Sequence, residues 1–233
     1  MTTVRKAGER GKTMMGWLQS WHTFSFGNYY DSKQMGFRSL RVINDDIFGP
    51  GGGFPTHPHE DMEIITVVLD GALRHGDSLG HQQALTTDEV QRMSAGTGIR
   101  HSEFNASKAE PVHLLQIWIE PDEMGVKPAY DQKVFAAKDR IGKLVRVAGR
   151  DGTQKDGALQ IHQDADLYLS VLKPGTELRH ALRKGRAAWV HIATGEATIN
   201  GQELQAGDAI AIEGEPEITV AGDTGQVLVF DLA

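Results

Sequence analysis

The sequence predicts an all-β protein made of two β-barrels in tandem, and three observations carry that expectation. Short apolar runs rich in β-branched residues recur along the chain, bounded by Gly, Asp and Asn. Twenty-seven glycines with only 7% aromatic residues imply many tight turns. An order of elements found in the first half returns in the second. The 233 residues suit one large or two small domains and suffice for a sizeable core.

In chain order the runs are Leu40 to Ile43, Ile64 to Leu69, Val112 to Ile119, Tyr168 to Leu172, Ala188 to Ala193, Ala209 to Ile212 and Val227 to Leu232. Their length and their boundaries argue strands, and many short strands with regular turns imply a sandwich or barrel. Asp131 to Lys143 is the one stretch that reads as a short helix or a linker. In the first half, a strand ending Val68-Leu69-Asp70-Gly71 precedes Thr87-Asp88-Glu89-Val90, a glycine-rich turn and Leu114 to Ile119. In the second, Ile192-Ala193-Thr194-Gly195 precedes Ala206-Gly207-Asp208-Ala209, a glycine-containing turn and Val227 to Leu232. The boundary is placed in the polar stretch between Pro121 and Gly157, giving domains 1–135 and 136–233.

Net charge is −7 with no basic stripe, which argues against contact with nucleic acid. The absence of cysteine excludes disulfides, thiolate zinc sites and Cys nucleophiles, so any metal must sit on His and carboxylate. Met1 to Gly16 is polar and no apolar run reaches eighteen residues. A cytoplasmic protein without membrane contact is expected.

Chemistry points to His57-Pro58-His59 and His101-Ser102-Glu103. On an extended strand, residues i and i+2 share a face. Two adjacent strands of this kind aim three imidazoles and a carboxylate at one point, the donor set of a divalent metal with positions left open. Glycines at Gly51 to Gly53, Gly96 and Gly98 let the backbone turn into those strands. On the residues alone, Glu63 and Glu103 compete evenly for the carboxylate position. The second half keeps one histidine at most at the equivalent places, near His180 to Arg183 and Val220 to Gly222, so the C-terminal barrel is expected to be structural. His22, His75, His81, His113, His162, His180 and His191 read as surface or satisfied core residues; His113 alternates with Leu115 and Ile117, and whether it enters the barrel is left open. Asp45, Asp46, Glu60 and Asp61 read as turn and solvated-loop residues. Trp21, Phe24, Phe26, Tyr29 and Tyr30 read as a strand covering the barrel rather than a lid.

The two segments match the cupin motifs: glycine, five residues, HxH and a Glu four residues on, then GxGxxH followed by Asn. Trp21-His22-Thr23-Phe24-Ser25-Phe26, Tyr29-Tyr30-Asp31, Leu40 to Asp46, Thr56 to His59 and Gly98 to Glu103 together resemble the pirin family. Arg150-Asp151-Gly152 and Ile161 to Asp164 resemble the start of the second domain in its bacterial branch. The resemblance implies a bicupin, two jelly-roll-type barrels with metal only in the first. It implies His57, His59, His101 and Glu103 as ligands, and leaves Glu63 as an acceptor behind them. Ser94 departs from the Pro common in the second motif, which touches only local turn geometry.

For function, the resemblance implies quercetin 2,3-dioxygenase activity: dioxygen cleaves a flavonol and carbon monoxide leaves. Glu103 is expected to accept the proton of the flavonol 3-hydroxyl as general base. Fe(II) is the expected cation, with Zn, Co, Ni, Mn and Cu also compatible with the donors. The alternative is a metal-dependent redox-sensing co-regulator with incidental dioxygenase activity, which leaves room for a protein partner. A third reading, a metal-dependent isomerase or hydrolase, uses the same ligands without dioxygen.

Overall fold

Along Val112–Ile119 successive side chains point to opposite faces, and both faces are covered. Leu114 joins Phe48, Leu73 and Leu85 inside one barrel, whereas Leu115, Ile117 and Ile119 join Leu167, Trp189 and Phe230 of the other half. A strand buried on two sides needs apolar residues on both faces, and here only His113 and Gln116 interrupt them.

The computed structural model describes residues 1–152 and 156–233. Its first strand is β1 (Thr2–Arg5). The first half then supplies β2 (Gly11–Met14), β3 (Leu18–His22), β4 (Leu40–Phe48), β5 (Gly53–His59), β6 (Glu63–Asp70), β7 (Ala72–Asp77), β8 (Gln82–Thr86), β9 (Glu89–Ser94), β10 (Ile99–Asn105), β11 (Val112–Ile119) and β12 (Ala129–Val134). A seven-stranded sheet in the order β12-β9-β6-β11-β4-β3-β2 faces a four-stranded sheet in the order β5-β10-β7-β8, with Leu18, Phe48, Val68, Leu73 and Leu85 packed between them. The second half supplies β13 (Val145–Gly149), β14 (Leu159–Gln160), β15 (Ala165–Leu172), β16 (Thr176–Ala181), β17 (Ala187–Ile199), β18 (Gln202–Gln205), β19 (Ala209–Glu213) and β20 (Glu217–Leu232). These form one nine-stranded sheet, counting β1, and it curls around an aliphatic interior that includes Val190, Ile192, Ile210, Ile218, Val220 and Val229. The chain is therefore an all-β bicupin, and each apolar run read from the sequence lies within a strand.

Two segments depart from expectation. Residues 2–5 do not join the N-terminal barrel: β1 pairs antiparallel with β19, covering an edge that would otherwise expose unpaired backbone groups. Within Asp131 to Lys143, the first residues belong to β12, paired with β9, and only Ala137–Arg140 is a helical turn. The free edge of β9 takes precedence over weak helical periodicity there. Among the described residues no helix is long and apolar enough to cross a membrane.

Candidate metal centre

Antiparallel pairing of β5 with β10 sets His57 opposite His101 and His59 opposite Ile99. A register shift between His101 and Glu103 then brings Glu103 opposite Phe54. Gly53 permits this approach, because a Cβ there would meet the Glu103 carbonyl oxygen at 2.2 Å.

The three imidazoles converge, with ring centroids 4.4 Å apart for His57 and His101, 4.8 Å for His57 and His59, and 4.9 Å for His59 and His101. One nitrogen from each ring lies within 4.8 Å of the others. His57 Nδ1 faces the Pro55 carbonyl oxygen at 2.9 Å. A carbonyl only accepts, so Nδ1 carries the proton and Nε2 keeps its lone pair. His59 Nε2 and both nitrogens of His101 are buried without a hydrogen-bond partner. Burial, reinforced by the charge His57 can carry, pushes His59 down to about 4. His101 is pushed lower still by burial and by its neighbours His57, His59 and His75. Neutral, unpartnered imidazoles buried together are costly unless a cation engages them, and their chemistry fits a divalent first-row ion.

Glu103 is not part of that tight triplet. Its carboxylate groups instead with His101 and His75, all three buried. Gln116 Nε2 donates to Glu103 Oε1 at 3.1 Å and Oε2 at 2.9 Å, while Trp118 Nε1 donates to Gln116 Oε1 at 3.4 Å. Burial first, and then the nearby Asp46, raise Glu103 to about 8 against the pull of Gln116. His75 has both nitrogens engaged, Nε2 with Asp77 at 2.9 Å and Nδ1 with Gln91 at 3.3 Å. It therefore backs His101 rather than offering a lone pair. Asp77 also holds His81 Nδ1 at 3.0 Å.

A cavity of about 350 Å³ opens from His57, His59 and Glu103, walled by Phe26, Phe54, Trp118, Gln116, Asn44 and Asp46 among others. Several expectations fail here. Asp45 and Asp46 are not solvated turn residues but buried members of β4 on opposite faces. Asp45 bonds Arg10 at 2.9 Å and His113 at 2.6 Å toward the second barrel, and Asp46 lines the cavity. His113, left open by the sequence, shares a face with Leu115 and Ile117, and that face is the junction of the barrels. The aromatic run is no continuous strand, because β3 ends at His22. Phe24 packs on Trp189, Phe26 lies edge-on to Trp118 in the cavity wall, and Tyr30 is exposed. Glu63 stands away from the imidazoles, accepting from Ser94 at 2.8 Å and bonding His162 at 2.7 Å across the two halves. It is therefore not an acceptor behind the ligands. Sequence reading missed Gln116, Trp118, Asp46 and His75. The period-two alternation of Leu114, Gln116 and Trp118 was the available signal for the first two.

In the second barrel His180 bonds Asp231 at 2.8 Å and stands beside Tyr168. Among the described residues, the clusters able to hold a metal lie in the first half alone.

A pirin family profile matches residues 3–119, and a profile described as the quercetinase C-terminal cupin domain matches residues 147–232. The chain is 48% identical over 233 residues to the quercetin 2,3-dioxygenase of Escherichia coli, covering 100% of this chain and 99% of that one. It is 42% identical over 219 residues to a pirin-like protein of Caulobacter vibrioides, covering 94% of each. Among solved structures, bacterial pirin YhhW from Escherichia coli in complex with nickel(II) superposes with a TM-score of 0.94 at 47% identity, over 100% of this chain and 99% of that one. With both halves matched in order and the full length covered, this chain belongs to the pirin family.

Proposed function

We propose that the chain is a metal-dependent dioxygenase that cleaves flavonols such as quercetin, with the cation held by His57, His59, His101 and Glu103. The convergence of His57, His59 and His101 on one point beside the cavity, with nitrogens of His59 and His101 buried and unpartnered, carries this reading. The names of the relatives support the substrate class, and a relative with nickel(II) supports a first-row cation. Fe(II) is the resident ion we assign, since a His-and-carboxylate set with open positions suits it.

When bound, the cation supplies Lewis acidity that lowers the pKa of a coordinated hydroxyl, and it stabilises the resulting anion. The residues do the rest. Glu103, oriented by Gln116, accepts the proton of the flavonol 3-hydroxyl. Phe26, Phe54 and Trp118 give a flat aromatic ligand apolar faces and exclude water from the reacting ring. Overall, flavonol and dioxygen yield a cleaved ester acid and carbon monoxide, with every oxygen atom accounted for between the two products. Oxygen uptake and carbon monoxide release with quercetin, by metal-loaded protein against a His101→Ala control, test the reading. Turnover on the order of 1 per second is expected. Equal rates for protein and control would overturn it.

A further inference from the structure

The cavity has a second polar wall, built on β3 and β4. Ser20 and His22 of β3 pair in register with Asp46 and Asn44 of β4, so these side chains share the inward face. Most of that wall is internally satisfied: His22 Nδ1 donates to Asn44 Oδ1 at 2.7 Å, and its Nε2 accepts from the Thr13 hydroxyl at 2.8 Å. Asp46 is the exception. It is 3% exposed, it lines the cavity, and its Oδ1 is buried without a hydrogen-bond partner. Its neighbour Asp45 bonds Arg10 and His113 on the opposite face of β4.

An unpartnered carboxyl oxygen in a buried wall costs free energy, and native structures keep such groups rarely. In the wall of a ligand cavity, a ligand hydroxyl can satisfy it. We infer that Asp46 is a substrate-contacting residue, its carboxyl group hydrogen-bonding a hydroxyl of the ligand other than the chelating 3-hydroxyl. This rests on the flavonol reading above and deepens it, because Asp46 then selects polyhydroxylated flavonols over bare ones. The aromatic walls would accept both kinds alike, so discrimination between them falls to the polar wall.

The test pairs quercetin with 3-hydroxyflavone, which keeps the chelating 3-hydroxyl and 4-keto groups but lacks the other hydroxyls. Binding to metal-loaded wild type, Asp46→Ala and Asp46→Asn is followed by quenching of tryptophan fluorescence, since Trp118 lines the cavity. Steady-state kinetics run in parallel, and metal content is measured for each protein. Asp46→Ala is expected to weaken quercetin binding and raise its KM about 10- to 100-fold. Binding of 3-hydroxyflavone should change less than threefold and metal content should stay equal, while Asp46→Asn recovers part of the loss. Equal losses for both ligands, or none for either, would overturn the assignment. Binding alone decides it, so a wild type that binds quercetin without consuming oxygen refutes the dioxygenase reading while Asp46 is still judged.

Discussion

Gln116 holds Glu103 by both carboxylate oxygens from a single amide nitrogen, at 3.1 and 2.9 Å. The donor is fixed because Trp118 occupies the amide oxygen, so Gln116 cannot turn its carbonyl toward the acid. A group that orients a ligand from behind commonly matters for affinity as well as position. Gln116→Leu, close in volume, should therefore fold normally yet bind metal about 10- to 100-fold more weakly. Competition with a chromophoric chelator reads this directly. Unchanged affinity would mean that the amide merely fills space.

Glu103→Gln separates the acid's two duties. The variant keeps the shape and the Gln116 contact but cannot take a proton. We expect near-native unfolding behaviour and a loss of about 100- to 10,000-fold in quercetin turnover. Metal analysis of the same sample tells loss of the base from loss of the ion. Full turnover would remove Glu103 from the chemistry.

The contact of Gly53 with the Glu103 carbonyl makes a third prediction. A methyl group there would lie 2.2 Å from that oxygen and 2.5 Å from Phe104 Cα, both backbone atoms, with the Phe104 ring at 2.7 Å. Gly53→Ala should thus part β5 from β10 and carry His57 and His59 away from His101. Metal content should fall well below one ion per chain, while the second barrel, whose core lies elsewhere, keeps its strand signal in circular dichroism. A variant that retains stoichiometric metal would show that the strands can slide apart without cost.

The ligand pairs were legible because i, i+2 spacing needs no knowledge of tertiary structure. Which face a strand presents is different. His113, Leu115 and Ile117 visibly alternate, yet nothing local tells the barrel interior from the junction with the second barrel, so the sequence leaves His113 unassigned. Asp46 was misplaced for a related reason. Charged residues in sequence usually mark solvent, and the pairing that buries it with Ser20 and Leu114 is long-range. Glu63 was ambiguous by spacing, and its partner His162 lies 99 residues away.

That pairing of Glu63 with His162 bears on stability rather than on the site. Glu63 is 1% exposed, and His162 supplies a contact from the other half of the chain at 2.7 Å. His162→Leu leaves Ser94 as the remaining hydroxyl donor to a buried carboxyl group. A loss of about 1–3 kcal/mol is expected in urea unfolding, with metal affinity unchanged. Weakened metal binding in this variant would mean that the junction of the barrels is coupled to the imidazoles.

Asp46 should also leave a signature in the pH dependence of stability. Burial, helped by Asp45 and opposed by the Ser20 hydroxyl, raises it to about 7 in the folded chain. Unfolded, an aspartate titrates near ~3.9. Between these values the folded state holds a proton that the unfolded state has released, so stability falls as pH rises through that window. Each pKa unit corresponds to about 1.4 kcal/mol, which puts the penalty at up to about 4 kcal/mol at pH 8. Glu103, raised to about 8 mainly by burial, acts with the same sign in metal-free protein. A bound dication beside Glu103 opposes its share by favouring the ionised form. Metal-free wild type should therefore lose stability from about pH 5 to pH 8, and Asp46→Asn should lose less of it by a few kcal/mol. Chemical unfolding of both proteins at the two pH values measures the difference. Parallel losses would mean that water reaches the Asp46 carboxylate and solvates it in the folded state.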